Sequence, residues 1–235
     1  MVAGQTVATY AALIADPSRA TMCLVLLDGR AWTAGELGRA AGIGASTASE
    51  HLSLLVRAGL LTEERQGRHR YLRLAGPDVA HLLEDLAGVA GSDPPPTSLR
   101  GVRARRELVV ARTCYDHLAG RLGVAVHDAM VALDLVSTRD GVALTADGKQ
   151  WLADFGATLD DASRRPVVRT CVDWTERRHH LRGQAAAAFL QQVRERGWVT
   201  QRPGSRAVAV TPSGAQGFEQ ALGIDAGVVL SRDSA

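Results

Sequence analysis

The chain has 235 residues, 46% of them apolar and 22% charged, and a net charge of +2. That length suits two domains of about 100–200 residues each, and no run approaches the roughly 18 uninterrupted apolar residues of a membrane helix. The N-terminus lacks the basic and apolar regions of a secretory signal, and three widely spaced cysteines fit a reducing compartment. A cytoplasmic protein with no membrane partner is therefore expected.

An apolar stripe of Val7, Tyr10, Ala11, Leu13 and Ile14 predicts a first helix over about residues 6–14. Pro17 opens a second helix at the position that tolerates proline. Its core is Met22, Leu24, Val25 and Leu27, and Asp28-Gly29 stops it. Cys23, inside this run, reads as a small buried apolar residue. Thr33 can cap a short helix whose apolar positions are Ala34, Leu37, Ala40 and Ala41. Gly42 ends it, and Ile43 plugs the turn that follows.

The next helix is expected over residues 46–55, with Ala48, Leu52, Leu55 and Val56 inside. Its outer side is Ser46, Thr47, Ser49, Glu50 and Ser53. Two strand-like runs follow, over residues 61–65 and 68–74, joined at Gln66-Gly67. Gly76-Pro77-Asp78 then opens a helix through Val79, Leu82, Leu83 and Leu86.

This is the pattern of a helix-turn-helix with a wing. Small hydroxyl side chains let a helix lie deep in a major groove and reach phosphates or base edges. Ser46, Thr47, Ser49 and His51 are the expected groove contacts. Arg65, Arg68, His69 and Arg70 cluster at the wing tip, suited to a minor groove or a phosphate row. The competing reading is a solvated helix on a small α-helical domain. Residues 1–90 carry eight Arg against nine Asp plus Glu, so the positive charge is local to the wing.

The stretch from Ala15 to Leu86 resembles the ArsR/SmtB family of bacterial winged-helix repressors. Ala15-Asp16-Pro17-Ser18-Arg19, Ser46-Thr47-Ala48-Ser49-Glu50-His51-Leu52, Leu55-Val56-Arg57-Ala58-Gly59-Leu60-Leu61 and Gly67-Arg68-His69-Arg70-Tyr71-Leu72 carry the resemblance. It implies a dimeric DNA-binding repressor released by an effector, with the first and last helices of the domain at the dimer interface. Two recognition helices would then sit about 34 Å apart on a palindromic operator. Metal-binding members often carry a cysteine box in the helix before the recognition helix; here that helix has no thiol. Asp78, His81 and Glu84 only faintly echo another metal site of the family.

Gly, Ser and three consecutive prolines mark a linker over residues 91–101. Arg100, Arg103, Arg105 and Arg106 form a basic cluster that reads as a solvated helix start. An internal repeat follows. Arg112-Thr113-Cys114-Tyr115-Asp116 recurs as Arg169-Thr170-Cys171-Val172-Asp173, and His117-Leu118-Ala119-Gly120 as His180-Leu181-Arg182-Gly183. From each His, nineteen residues lead to a valine, Val136 or Val199, and then a hairpin-like run and a helix opened by Thr145 or Thr211.

The expected fold class is mainly α with small β-hairpin wings (α+β). A winged helix-turn-helix domain over residues 1–90 precedes an effector-sensing domain of two winged-helix-like pseudo-repeats over 102–225, with a tail from 226. In the second domain, Cys114 and His117 are expected on one helix face, with Cys171, Asp173, His179 and His180 in the equivalent place. A pseudo-two-fold could bring two thiols and two imidazoles together, suiting a tetrahedral soft metal such as zinc, or a thiol-reactive sensor. Alternatively both cysteines fill equivalent core positions, with Arg112/Asp116 and Arg169/Asp173 as ordinary ion pairs. A third reading is an aromatic-lined pocket of Tyr115, Trp151, Trp174 and Trp198 for an organic effector.

The expected function is a one-component regulator, a dimeric repressor of double-stranded operator DNA that needs no cofactor to bind it. A small-molecule or metal effector would act through the second domain. No Gly-rich phosphate loop, H-E-x-x-H or G-x-S-x-G motif supports an enzyme. The alternatives are a metal- or thiol-dependent enzyme or redox protein using Cys114 and Cys171, and a protein-interaction adaptor.

Overall fold

A computed structural model describes residues 4–67, 69–90, 99–201 and 205–231. It divides into two units, Met1–Glu84 and Asp85–Ala235. The division falls inside a helix, ahead of the expected linker. Residues 91–98 of that linker lie outside the described residues, and a helix already begins at Leu99. Among the described residues no single helix is long and apolar enough to cross a membrane.

The first unit begins with α1 (Gly4–Ile14) and α2 (Pro17–Val25), which tightens into a 3-10 turn over Leu26–Asp28. Asp16 caps α2, its side chain accepting from the Arg19 N–H. Met22, Cys23, Leu26 and Leu27 are buried, but Leu24, expected in the core, is exposed. Then come β1 (Trp32–Thr33), α3 (Ala34–Ala40), α4 (Ala45–Arg57), β2 (Leu61–Gln66), β3 (His69–Leu74) and α5 (Pro77–Ala90). Thr33 and Glu36 form a reciprocal capping box at the start of α3. Gly38 of α3 lies so close to Ala48 of α4 that an added Cβ would stand 3.0 Å from the Ala48 methyl.

The wing is the antiparallel pair β2–β3, in register from Leu61↔Leu74 to Gln66↔His69. The sheet has a third member absent from the sequence reading. β1 pairs with β3 through Trp32↔Leu72 and Thr33↔Tyr71. Two residues are too short to show a period of two, so pattern alone does not reveal such a strand.

The second unit opens with α6 (Leu99–Val110). Then the order β-hairpin, helix, β-hairpin, helix occurs twice. The first pass is β4 (Arg112–Cys114), β5 (His117–Ala119), α7 (Gly120–Ala132), β6 (Val136–Ser137), β7 (Ala143–Leu144) and α8 (Ala146–Asp154). The second is β8 (Arg169–Val172), β9 (His179–Arg182), α9 (Gln184–Glu195), β10 (Val199–Gln201), β11 (Val208–Val210) and α10 (Pro212–Leu222). What leads into α7 and α9 is a hairpin in both passes, where a helix was expected. The segment set apart as a tail contains α11 (Ala226–Leu230), capped by Asp225.

The duplication extends to individual hydrogen bonds. Thr145 and Thr211 cap α8 and α10, accepting from the Gly148 and Gly214 N–H groups. Their own N–H groups donate to the Leu135 and Trp198 carbonyls. A Cβ on Gly148 or Gly214 would stand 2.0 Å from that same carbonyl oxygen, so only glycine fits either place. One core, including Leu122, Val126, Met130, Phe189, Leu190 and Phe218, is shared by both passes.

Candidate nucleic-acid interface and buried thiol-imidazole cluster

On α4, Ala48, Leu52 and Leu55 are buried, whereas Ser46, Thr47, Ser49 and Glu50 are exposed. Burying each leucine stabilises the helix's seating by about 1.5–3 kcal/mol, which fixes the outward direction of the opposite face. Ser46, Thr47 and Ser49 form an uncharged row of small hydroxyls there. His51 is placed differently. Its Nδ1 lies 3.1 Å from the Arg19 guanidinium, and its Nε2 is 4.0 Å from Asp16. It is tied to the start of α2 rather than offered with the serines.

The wing's basic residues also divide. Arg65 and His69 are exposed. Arg70 is half-buried; it forms an ion pair with Glu63 and donates to Ser53 Oγ at 3.2 Å. It braces the wing against α4. Arg68 lies outside the described residues. Arg73, not singled out from the sequence, is exposed and 3.4 Å from Glu64.

In the second unit, Cys114 and His117 are cross-strand partners in β4–β5, and Cys171 and His180 are cross-strand partners in β8–β9. The expected shared helix face is therefore corrected. A spacing of three joins one face of a helix, but it also joins the two residues flanking a two-residue hairpin turn. Tyr115, with φ 58°, supplies the left-handed conformation that this turn requires. The four side chains are all buried, and one donor atom from each can be chosen so that all lie within 4.8 Å of one another. The two imidazoles are 5.2 Å apart between ring centres. His179 belongs to the other face of β9; it is exposed, with its ring 6.3 Å from that of His127.

Carboxylates surround this cluster. His117 Nδ1 lies 3.2 Å from Asp116 Oδ1, and His180 Nδ1 lies 3.3 Å from Asp173 Oδ2. Burial works against both carboxylates. It is outweighed at Asp116 by hydrogen bonds from His117 and Arg165, which hold its carboxyl at about 2. At Asp173, His180, Arg112 and Thr175 likewise hold the carboxyl far below the usual range. A hydrogen bond from Cys114, with a hydrogen bond and the charge of His117, outweighs burial and holds the Cys171 thiol well below its ordinary value, favouring the thiolate. Burial alone opposes a charge on His117, but Asp116 and Cys171 raise its affinity for a proton. By contrast, burial pushes the isolated Cys23 thiol up to about 12.

The expected ion pairs within each repeat are also corrected. Arg112, fully buried, pairs with Asp173 at 2.9 Å, while Asp116 is bound by Arg165 at 2.6 Å. Asp173 further accepts from the N–H groups of Gly120 and Thr175, and Arg112 stacks over Trp174. Sequence spacing carries no sign of a partner from the opposite repeat.

Of the four aromatics proposed as one pocket, Trp151 and Trp198 pack against the apolar core. Trp151 stacks on Phe155, and Trp198 meets Phe155 and Phe218 edge-on, as parts of the packed core. Trp174 lies under Arg112, and Tyr115 occupies the β4–β5 turn. A small cavity of about 20 Å³ lies instead beside α7 and α9, with Leu118, Val126, Met130, Leu181 and Phe189 in its mainly apolar lining.

Known proteins place the first unit's geometry in context. The profile of the family described as "Helix-turn-helix domain" matches residues 14–64. Over 221 residues the chain is 38% identical to the uncharacterized HTH-type transcriptional regulator YdfF of Bacillus subtilis (strain 168), covering 93% of this chain and 97% of that protein. A solved homodimeric winged helix-turn-helix DNA-binding domain from Mycobacterium bovis, titled a possible ArsR-family transcriptional regulator, is 31% identical. That match covers 37% of this chain and 79% of the domain, with a TM-score of 0.34. The cadmium metal-sensor CMTR from Mycobacterium tuberculosis is 32% identical over 40% of this chain and 99% of its own, with a TM-score of 0.31. With 38% identity to an HTH-type regulator across 93% of its length, and a hydroxyl-faced second helix in the motif, the chain belongs to the helix-turn-helix transcriptional regulators.

Proposed function

We propose that the chain acts as a dimeric repressor that lays α4 in the major groove of a palindromic operator. The wing touches the flanking backbone, and an effector held in the second unit modulates binding. The carrying observation is the exposed row of Ser46, Thr47 and Ser49 backed by buried Ala48, Leu52 and Leu55. Dimerisation is supported by apolar side chains left exposed on the helices that the family resemblance assigns to the interface: Val7 and Tyr10 on α1, Leu82 and Leu86 on α5. The brace from Arg70 to Ser53 holds the wing in register with the recognition helix.

The test is fluorescence anisotropy of the full-length protein on labelled DNA from its own promoter region, across a salt series. Binding should weaken steeply with salt, and Arg65→Ala should reduce the slope by about 0.9 for one lost phosphate contact. Arg70→Ala should lower affinity at every salt concentration by loosening the wing. Ser46→Glu with Thr47→Glu should abolish binding through repulsion from the phosphates. Unchanged binding in that double variant, or none by the wild type at low salt, refutes the proposal.

A further inference from the structure

The two hairpins β4–β5 and β8–β9 do the same thing twice. Each presents one cysteine and one histidine as cross-strand partners, and the two pairs face each other in the protein's interior. Each histidine also has its Nδ1 against an aspartate, Asp116 or Asp173. At His117 the hydrogen bond to Asp116 holds Nδ1 and leaves Nε2 as the donor, the arrangement that metal-bound histidines use. At His180 both buried ring nitrogens lack a well-formed hydrogen bond within the described residues, although Nδ1 lies 3.3 Å from Asp173. A buried polar nitrogen in that state is costly, and a ligand that it could bind would remove the cost.

We propose that Cys114, His117, Cys171 and His180 form a tetrahedral site for a zinc-class divalent ion. The donor set decides the class. Two thiolates and two imidazoles suit zinc and its soft neighbours, and do not suit magnesium or calcium, which take oxygen. Distances agree with this assignment. With metal–sulfur near 2.3 Å and metal–nitrogen near 2.0 Å, tetrahedral donors lie about 3.3–3.8 Å apart. The donors here lie within 4.8 Å, so contraction by roughly 1 Å completes the geometry. Charge agrees as well. The Cys171 sulfur lies 3.8 Å from the Arg182 guanidinium, a cation that favours the thiolate a metal needs. Binding would release the thiol protons and any proton on Nε2 of the histidines. Two thiolates would then neutralise the ion, which suits a site closed to water.

This inference deepens the proposed function by naming the effector's class. Its test uses no DNA, so the two readings fail separately. The full-length wild-type protein, purified under reducing conditions and stripped with chelator, is titrated with cobalt(II). One cobalt per chain is expected, with the intense visible bands of a tetrahedral site and a thiolate-to-cobalt charge-transfer band, both erased by one equivalent of zinc. Asp116→Asn keeps all four donors and should weaken zinc binding by about 10–100-fold. Cys114→Ser and Cys171→Ser should lose the charge-transfer band while circular dichroism reports the fold. No tetrahedral spectrum in the wild type, or a spectrum unchanged in both serine variants, overturns the proposal. A Cys114–Cys171 disulfide in freshly purified protein with no cobalt uptake also overturns it.

Discussion

Arg112→Met is the sharpest probe of how the second unit holds together. Arg112 and Asp173 are both fully buried, 2.9 Å apart. The methionine fills much of the vacated volume and keeps an apolar face towards Trp174. It leaves Asp173 with the neutral N–H donors of Gly120 and Thr175 and the His180 ring, in a place where water cannot help. Removing one partner of a buried pair costs about 3–5 kcal/mol because the other charge is left uncompensated. At roughly 2–4 °C per kcal/mol for a chain of this size, the melting temperature should fall by about 6–20 °C. The assay is differential scanning calorimetry at neutral pH. Arg112→Met with Asp173→Asn should recover more than half the loss, because the amide keeps an acceptor for Gly120 and removes the stranded charge. A single variant costing less than about 1 kcal/mol, or a double variant no better than the single, refutes this account.

Two further outcomes follow from local geometry. Hydrogen bonds from the Thr33 hydroxyl and N–H hold the Glu36 carboxyl below its usual 4.5. That contribution is present above the unfolded value and is lost as pH falls through the lower folded one. Glu36→Ala should therefore cost about 0.5–1 kcal/mol at pH 7. The gap in melting temperature should close as the pH is taken below 4.5, and a gap constant with pH would contradict the capping role. Gly214→Ala drives a methyl into the Trp198 carbonyl and should cost about 3 kcal/mol or more in urea unfolding. Gly223→Ala, in open space at φ 65°, should cost only about 1–2 kcal/mol for its left-handed backbone, and the reverse order would refute the packing argument.

The first unit was legible because its signals are local. Thr33, Pro17, Gly42 and the spacing of Ala48, Leu52 and Leu55 each act within a few residues. The exposed row of Ser46, Thr47 and Ser49 followed from that spacing. His51 could not be assigned this way, because its fate depends on Arg19, far back in the chain. The repeat in the second half was visible as repeated residue strings, and the structure places Cys114, His117, Cys171 and His180 together. The hairpins were not visible, since a spacing of three serves a helix face and a tight turn equally. Nor were the charge partners of Asp116 and Asp173, which are chosen by tertiary packing and leave no periodic trace.

The crossed ion pairs bear on how such a domain can be divided. A fragment ending between α8 and β8 would strand Arg112 without its counter-ion, and the complementary piece would strand Asp173 in an apolar setting. Neither half could seal its interior alone, yet two copies of one half docked face to face would supply most of what is missing. The duplicated segment thus has the internal logic of an obligate pair joined into one polypeptide, although the match is imperfect. Strict symmetry would answer Asp116 with Arg169, and the chain uses Arg165 instead. That exchange is one place where the two passes depart from each other, as is the longer connection between β8 and β9.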